Sequence, residues 1–514
     1  MRVAIVGLGP KGLYALERLF DHARDLDPVA GLEIDVFEPH PVPGAGPVYD
    51  PRQPEYLLMN FAAAHVDMWW PGSGVVPPDE RRSYVEWSGT DPWAYPSRSD
   101  VGRYLADGLD RLRRRAPDGV SLRLHRSAVA AVSARGRHWA VSASGETTLH
   151  DEVLIAIGHQ SSWAGELASP LSVYPVQRRL SPDRVPPGSN VAVRGFALTF
   201  IDAALALTEG RGGVFEKLDH PYRLRYHPSR DDVGQIIPHS RTGRPMRAKP
   251  GPELAADDPR TEAILESGRR RIRELGDTAD AVTGLTAIVT AAATAALTAA
   301  GGDTTPAASL DPVDEMERSL AVGAGHIRPD PAWALGHVWR GVYPAIVTRF
   351  SGRVWAPGEV LRFRRLSAEM ERVAFGPAPV NTAKILALID AGRINLDHLR
   401  EPPVGHVDAV VDAVLPPPGA RGLRTPLLEQ LVRDGHARVV AGGRGLEVTA
   451  DAACVGRSGS PSPGLSAIGR PTEDSVVGND TLSRTLHPQA DRWARRILGR
   501  REASPEAAMA QWVA

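Results

Sequence analysis

Gly7, Gly9 and Gly12 stand in G-x-G-x-x-G spacing within VAIVGLGPKGLYALERLF, residues 3–20. Each glycine has its own task. Gly7 permits a tight turn, Gly9 lets a pyrophosphate reach the backbone, and Gly12 lets the helix pack on the strand. Pro10 and Lys11 lie inside the same loop, and the helix that follows presents free N–H groups to phosphate oxygens. LEIDVFE, residues 32–38, ends in Glu38, whose carboxylate suits ribose hydroxyls. A second glycine turn occurs in VAVRGFALTF, residues 191–200. Gly195 supplies its turn and Thr199 offers a hydroxyl to a phosphate. Ala197 puts a methyl group where a pyrophosphate would meet the backbone, and Asp202 puts a negative charge in the first helical turn. Ser240 and Arg241, in HSRTGRP, suit a nucleotide phosphate, because a guanidinium offers a planar fork to its oxygens. The nearest acids, Asp231 and Asp232, follow the strand YRLRYHPSR late, which favours NADP over NAD. A surface turn with salt bridges is the plain alternative.

These residues need strands and helices to place them. Residues 3–7 and 32–38 read as strands flanking a helix over 10–25, a β-α-β unit. Strands are expected at 120–125, 138–143 and 152–157, and a helix at 101–115. Residues 190–210 repeat the strand-Gly-helix pattern. Helices follow over 260–300, near 313–320, 331–350, 366–374 and 381–391. Strands near 437–440, 445–449 and 465–468 lead to a last helix over about 481–498. The implied fold is α/β: a discontinuous Rossmann-like FAD domain, a second Rossmann-like NADP domain and a helical insertion. Expected boundaries are 1–187 for the first FAD part, 188–254 for the NAD(P) region, 255–400 for the helical cover and 401–514 for the return.

Two later pieces favour FAD at the first loop. DEVLIAIGHQ, residues 151–160, is an apolar strand that runs out at Gly158. GLSAIGRPTEDSVVGNDTLSRTLHPQADRWARRIL, residues 464–498, reads as a strand, Gly469, and a helix capped at Asn479 or Asp480, with Thr481 in its first turn. Such a helix end would stabilise negative charge on a reduced flavin ring.

The 514 residues carry a net charge of −1, with no basic excess for nucleic acid. The lone Cys454 cannot form an internal disulfide and is expected to be buried. The N-terminus is already a strand and turn, so the expected location is cytoplasmic. AVTGLTAIVTAAATAALTAA, residues 281–300, is long enough to span a bilayer, but Leu285, Ile288, Val289 and Leu297 keep helical spacing. A packed amphipathic helix is expected there, with no membrane partner. The histidines show no metal-binding spacing.

Taken together, VGLGPKGLYALERL, LMNFAAAHVDMWWP, AIGHQ, LRYHPS, SRTGRPMRAKP, AFGPAPVNTAKILALIDAG and IGRPTEDSVVGNDTLSRTLHPQADRWA resemble a known family. It is the FAD/NAD(P)-binding branch that includes an FAD-dependent urate hydroxylase and the nitrosuccinate-forming aspartate N-monooxygenase. The resemblance implies that NADPH reduces FAD and that O2 is then used to hydroxylate a small-molecule substrate, here the amine of a small amino acid or related metabolite. Ring hydroxylation of a small heterocycle is one alternative. A flavin-binding redox or scaffold protein without oxygenase turnover is another, and Ala197 is the feature that supports it. In this architecture Asn60 would reach the flavin. His65 with Asp67 would be an acid/base pair, although a structural role fits these two better. Trp69 and Trp70 are expected to pack between domains. A homo-oligomer is compatible with the sequence.

Overall fold

The computed structural model describes residues 1–499 apart from 25–30, 161, 168–169, 252–258, 279, 306–310, 404, 406, 423 and 480. The expected boundary at 255 and the expected cap Asp480 lie outside the described residues. β1 (Arg2–Val6) is central in a six-stranded sheet, with β2 (Leu32–Phe37) and then Val120–His125 on one side. Glu152–Ile155, Pro461–Ala467 and Ala453–Val455 lie on the other. All pairings are parallel except the last. Apolar runs suit these strands because both faces are covered. On one face α1 (Pro10–Ala23) packs against the C-terminal helix Gln489–Ile497, whose Trp493 is fully buried. The other face meets a three-stranded sheet over residues 129–150 and the helix Pro426–Arg433. Cys454 is buried there, and burial pushes its thiol pKa up. The chain therefore returns to its first sheet after 450, later than the expected 401, because Ala409–Asp412 pairs into the second sheet.

Register does the positioning. Val6 pairs with both Phe37 and Ile155, and Ile155 pairs with Ala467. Gly7, Glu38, Ala156 and Ile468 thus emerge along one edge of the sheet, where parallel α/β sheets bind ligands.

The second sheet is parallel too. Its order is Gln235–His239, Asn190–Arg194, Ala409–Asp412 and Leu171–Ser172. Two of these strands come from outside residues 188–254. The crossover region also differs from expectation. The segment read as a strand over 222–230 forms only Leu224–His227, in a separate antiparallel ribbon with Val214–Lys217. The Pro228–Ser229 turn ends it, and Tyr226 Oη donates to Asp232 at 2.6 Å. The strand beside Asn190–Arg194 is instead Gln235–His239, so Ser240 and Arg241 follow it directly.

The helices Pro259–Arg273, Ala281–Ala299, Pro331–Phe350 and Glu359–Ala374 share one core around Trp339 and Phe350. Among the described residues, Ala281–Ala299 alone is long and apolar enough to cross a membrane. It buries Leu285, Ile288, Val289 and Leu297 in this core and exposes mainly Thr and Ala. Pro379–Asp390 instead packs on the second sheet, with Ile385 and Leu388 in the same cluster as Val191 and Val193.

Candidate active site

Gly7 has φ +97°, and a Cβ there would lie 2.8 Å from Ala156 O. A Cβ on Gly12 would meet Gly7 O at 2.1 Å, so only glycine lets α1 approach the turn. Around Gly9 the space is open to 4 Å. Gly9 caps α1 without a side-chain hydrogen bond, and Pro10 is its first helical residue. An open position over an uncapped helix end fits a pyrophosphate. Glu38 is buried at the end of β2, where its carboxylate accepts from Leu8 N at 2.7 Å and His40 N at 2.8 Å. Each oxygen keeps a lone pair for a ribose hydroxyl. Gly44 and Gly46 complete the cradle, a contribution that sequence reasoning missed. Gly44 N donates to Leu8 O at 2.7 Å, and a Cβ on Gly46 would touch Gly9 Cα at 3.3 Å. The glycines of PVPGAG, residues 41–46, were the available sign.

Gly158 follows the strand Glu152–Ile155 on the same edge, with open space at its Cα. Gly469 has φ +74° and comes within 3.2 Å of Lys11 Cγ, measured from a Cβ built on it. Lys11, Gly469, Asn479, Arg484 and His487 line one cleft beside α1. Sequence reasoning missed His487. Burial and the Lys11 charge push its imidazole down to about 3, and its Nε2 is 2.7 Å from Val477 O. The ring is therefore neutral, Nε2–H donates, and Nδ1 is left without a partner.

The expected helix cap in this segment needs correction. The last helix begins at Gln489, after Pro488, with no side-chain cap. Asn479 Nδ2 instead donates to Val476 O at 2.6 Å, closing its own turn. Thr481 is not helical either, and its Oγ1 accepts from Ser483 N at 3.0 Å. Pro488 sets the boundary because a proline disfavours helical geometry in the residue before it.

In the second unit, Gly195 has φ +121° and its N–H donates to His239 O at 2.8 Å. Gly195 and Ser240 therefore end neighbouring strands. Ala197 caps the helix Leu198–Ala206 without a side-chain hydrogen bond, and Thr199 is buried in the first turn. Asp202 lies past the first turn, which holds no acid, contrary to the expected placement, because the helix already begins at Leu198; Arg98 Nη1 lies 2.5 Å from its Oδ2, and Tyr174 Oη donates to the same oxygen. The Arg98 guanidinium thus balances its negative charge. Ser240 Oγ accepts from Gly243 N at 3.1 Å, and Arg241 is exposed.

Asn60 Nδ2 donates to Phe375 O at 2.9 Å, tying the first unit to the cover helices. The His65–Asp67 pair does not form. The His65 ring lies 5.3 Å from Phe61 and 6.2 Å from Trp93, whereas Asp67 accepts from Trp69 N at 2.8 Å and Tyr104 Oη at 3.2 Å. Trp69 is core in the first unit, and Trp70 lies 5.4 and 5.5 Å from the guanidinium groups of Arg18 and Arg484 of that same unit. Both tryptophans therefore pack within the first unit, not between domains as expected.

Across from Asn60 lie two cations that sequence reasoning missed, Lys249 and Arg340. Lys249 Nζ sits 5.6 Å from the Phe61 ring centre and 5.9 Å from that of Phe375. Arg340 Nη1 donates to Ala374 O at 2.9 Å. Burial, reinforced by the Arg340 charge, pulls Lys249 down to about 7. Burial also lowers Arg340 to about 10, so it stays charged.

Residues 4–160 match a FAD-NAD(P)-binding family. The FAD-NAD(P)-binding match thus contains the whole first glycine loop, Glu38, Asn60 and Gly158. Nitrosuccinic acid synthase npaA of Aspergillus oryzae is 35% identical over 269 residues, 48% of this chain and 41% of that protein. An L-aspartate N-monooxygenase (nitrosuccinate-forming) of Streptomyces cremeus is 30% identical over 318 residues, 54% of this chain and 46% of that one. These matches span less than half the length of the relatives. Among solved structures, L-lysine 6-monooxygenase from Pseudomonas syringae superposes with a TM-score of 0.49 at 15% identity, covering 97% of this chain and 99% of that one. A cyclohexanone monooxygenase gives 0.46 at 14% identity, covering 99% and 90%.

Proposed function

We propose that this chain is a FAD-dependent, NADPH-using monooxygenase that hydroxylates the amine of a small amino acid or related metabolite. The observation that carries the reading is the pair of strand–glycine–helix turns, at Gly7 and Gly195, with the open cradle at Gly9. The relatives' N-monooxygenase names support the choice of nitrogen over carbon. FAD would be held by the loop Gly7–Gly12, by Glu38 at the ribose, and by Gly158 and Gly469. NADPH would be held by Gly195, Thr199, Ser240 and Arg241. Bound flavin supplies hydride acceptance and the activation of O2. The overall reaction consumes NADPH, a proton, O2 and R–NH2, and yields NADP+, water and R–NHOH.

The chain's own task is placement and exclusion of water. Phe61 and Phe375 offer apolar walls, and Asn60 anchors the first unit to the cover through the Phe375 carbonyl. The reactive amine must arrive without its proton, which a poorly hydrated, positively charged chamber favours. The test is anaerobic mixing of the FAD-loaded protein with NADPH. The flavin should bleach, and reoxidation in air with an amino acid present should give an N-oxygenated product. Protein that takes up no FAD would refute the proposal.

A further inference from the structure

Buried polar atoms are nearly always hydrogen-bonded, so one left without a partner calls for an explanation. Arg484, His487 and Gln489 line one small cleft between α1 and the stretch that leads into the last helix. Among the described residues, Arg484 Nε, His487 Nδ1 and Gln489 Oε1 have no hydrogen-bond partner, and all three atoms are buried. Their neighbours in the cleft are satisfied. Thr472 Oγ1 donates to Gly469 O at 2.8 Å, Asn479 Nδ2 to Val476 O at 2.6 Å and Tyr14 Oη to Leu482 O at 3.0 Å, while Ser483 Oγ accepts from Leu486 N at 3.2 Å. The three unpaired atoms need different things. Arg484 Nε–H is a donor, and Gln489 Oε1 is an acceptor. His487 is neutral, because burial and the Lys11 charge push it down to about 3. Its Nε2–H is spent on Val477 O, so Nδ1 offers a lone pair.

We propose that this cleft binds one water molecule, which accepts from Arg484 Nε–H, donates to His487 Nδ1 and Gln489 Oε1, and so holds the FAD edge of the first unit in place. Charge and space both select water. An anion would face the His487 lone pair and the Gln489 carbonyl oxygen. A cation would face Lys11 and the Arg484 guanidinium, whose side chain is only 4% exposed. Water alone brings an acceptor for the one donor and two protons for the two acceptors. The cavity volume is about 20 Å³. One water needs about 10–15 Å³ on the same measure, so a second molecule or an organic ligand does not fit.

The water makes His487 a positioning residue for FAD. That consequence rests on the monooxygenase reading, whereas the water site itself does not. Leu482–Pro488 forms neither helix nor strand, and the last helix begins only at Gln489. This stretch is tied to α1 by Tyr14 at Leu482 and by Arg484 Nη2, 2.5 Å from Glu17 Oε2. His487 ties it back to Val477, in the turns that follow Gly469. The water links both ties to the first residue of the last helix. Gly469 is thereby kept against Lys11, whose Cγ lies 3.2 Å from a Cβ built on the glycine. FAD at that edge meets a backbone already ordered, and less freedom is lost on binding.

The experiment is a pair of substitutions at one residue, read by crystallography and by FAD titration. A Gln amide reaches the position of the imidazole Nε2, and an Asn amide that of Nδ1. His487→Gln should therefore keep the bond to Val477 O and lose the water, whereas His487→Asn should lose that bond and keep the water. In crystals of the FAD-loaded wild type, one ordered water should lie about 2.7–3.2 Å from Arg484 Nε, His487 Nδ1 and Gln489 Oε1. It should persist in His487→Asn and be absent from His487→Gln. FAD affinity should fall about tenfold in His487→Gln and stay within about threefold of wild type in His487→Asn. Gln489→Met, which removes one acceptor at nearly constant volume, should weaken FAD like His487→Gln and stands in for it if that variant does not fold. A dry cleft or an ion there in the wild type would overturn the site. Equal FAD affinity in the wild type, His487→Gln and Gln489→Met would overturn the positioning role. Should the protein take up no FAD, the monooxygenase reading falls, and crystals of the FAD-free protein still decide the water site.

Discussion

Gly9 and Gly12 belong to one motif yet answer to different neighbours. A side chain at Gly12 collides with Gly7 O inside the protein, whereas one at Gly9 meets only the space reserved for a ligand. Gly9 has φ −76° and ψ −170°, a conformation open to any residue. Gly9→Val should therefore leave the melting temperature of the FAD-free protein nearly unchanged, within about 1 kcal/mol, while abolishing FAD uptake. Gly12→Val should cost about 3 kcal/mol or more and lower the melting point. Thermal melts with FAD titration separate the two, and equal losses of stability would refute the assignment.

At the scale of elements, one ion cluster ties the two ends of the first unit together and another ties that unit to the second. Asp491 on the last helix joins Arg18 and His22 on α1, at 2.9 and 2.8 Å, and Arg495 at 2.9 Å. Burial opposes ionisation, but the His22 hydrogen bond and the arginine charges prevail and hold the carboxyl at about 2. A depressed pKa gives stability that is present above the unfolded value near 4 and is lost as pH falls towards 2. Urea melts between about pH 6 and 2.5 should show this loss in the wild type and a smaller slope in Asp491→Asn. That variant should itself be about 3 kcal/mol less stable at pH 7, because it leaves Arg18 short of a buried partner. Between the units, Arg98→Gln leaves the Asp202 carboxylate without its cation, one turn beyond the helix end at Ala197. NADPH affinity should fall by about tenfold, with FAD affinity unchanged, as read by equilibrium titration. Much of this layer was legible in the sequence. Apolar runs marked the strands at 3–7, 32–38 and 152–157, and helical spacing marked 331–350, because burial on one or both faces leaves a periodic trace. The ribbon at 224–227 and the late helix start at 489 were not legible. Pairing partners and proline placement decided those, and neither leaves a periodic pattern.

For the whole molecule, the first half of the chain builds the edge carrying Gly7, Glu38 and Gly158, and the second half closes over it. Residues after 450 return to the first sheet, so Gly469 meets Lys11 across more than four hundred residues of sequence. Asn60 and Phe61 of the first unit meet Phe375 of the cover through the Asn60–Phe375 hydrogen bond, with Lys249 near both phenylalanine rings. Contacts of this kind join residues more than three hundred positions apart, so motif spacing carries no trace of them. The most direct measurement follows the oxygen atom. FAD-loaded protein would be given NADPH, L-aspartate and isotopically heavy O2, and the products analysed by mass spectrometry. The account predicts heavy oxygen on the substrate nitrogen, with NADPH consumed in step. NADPH oxidation that yields only hydrogen peroxide, across L-aspartate and other small amino acids, would contradict it, as would heavy oxygen on carbon.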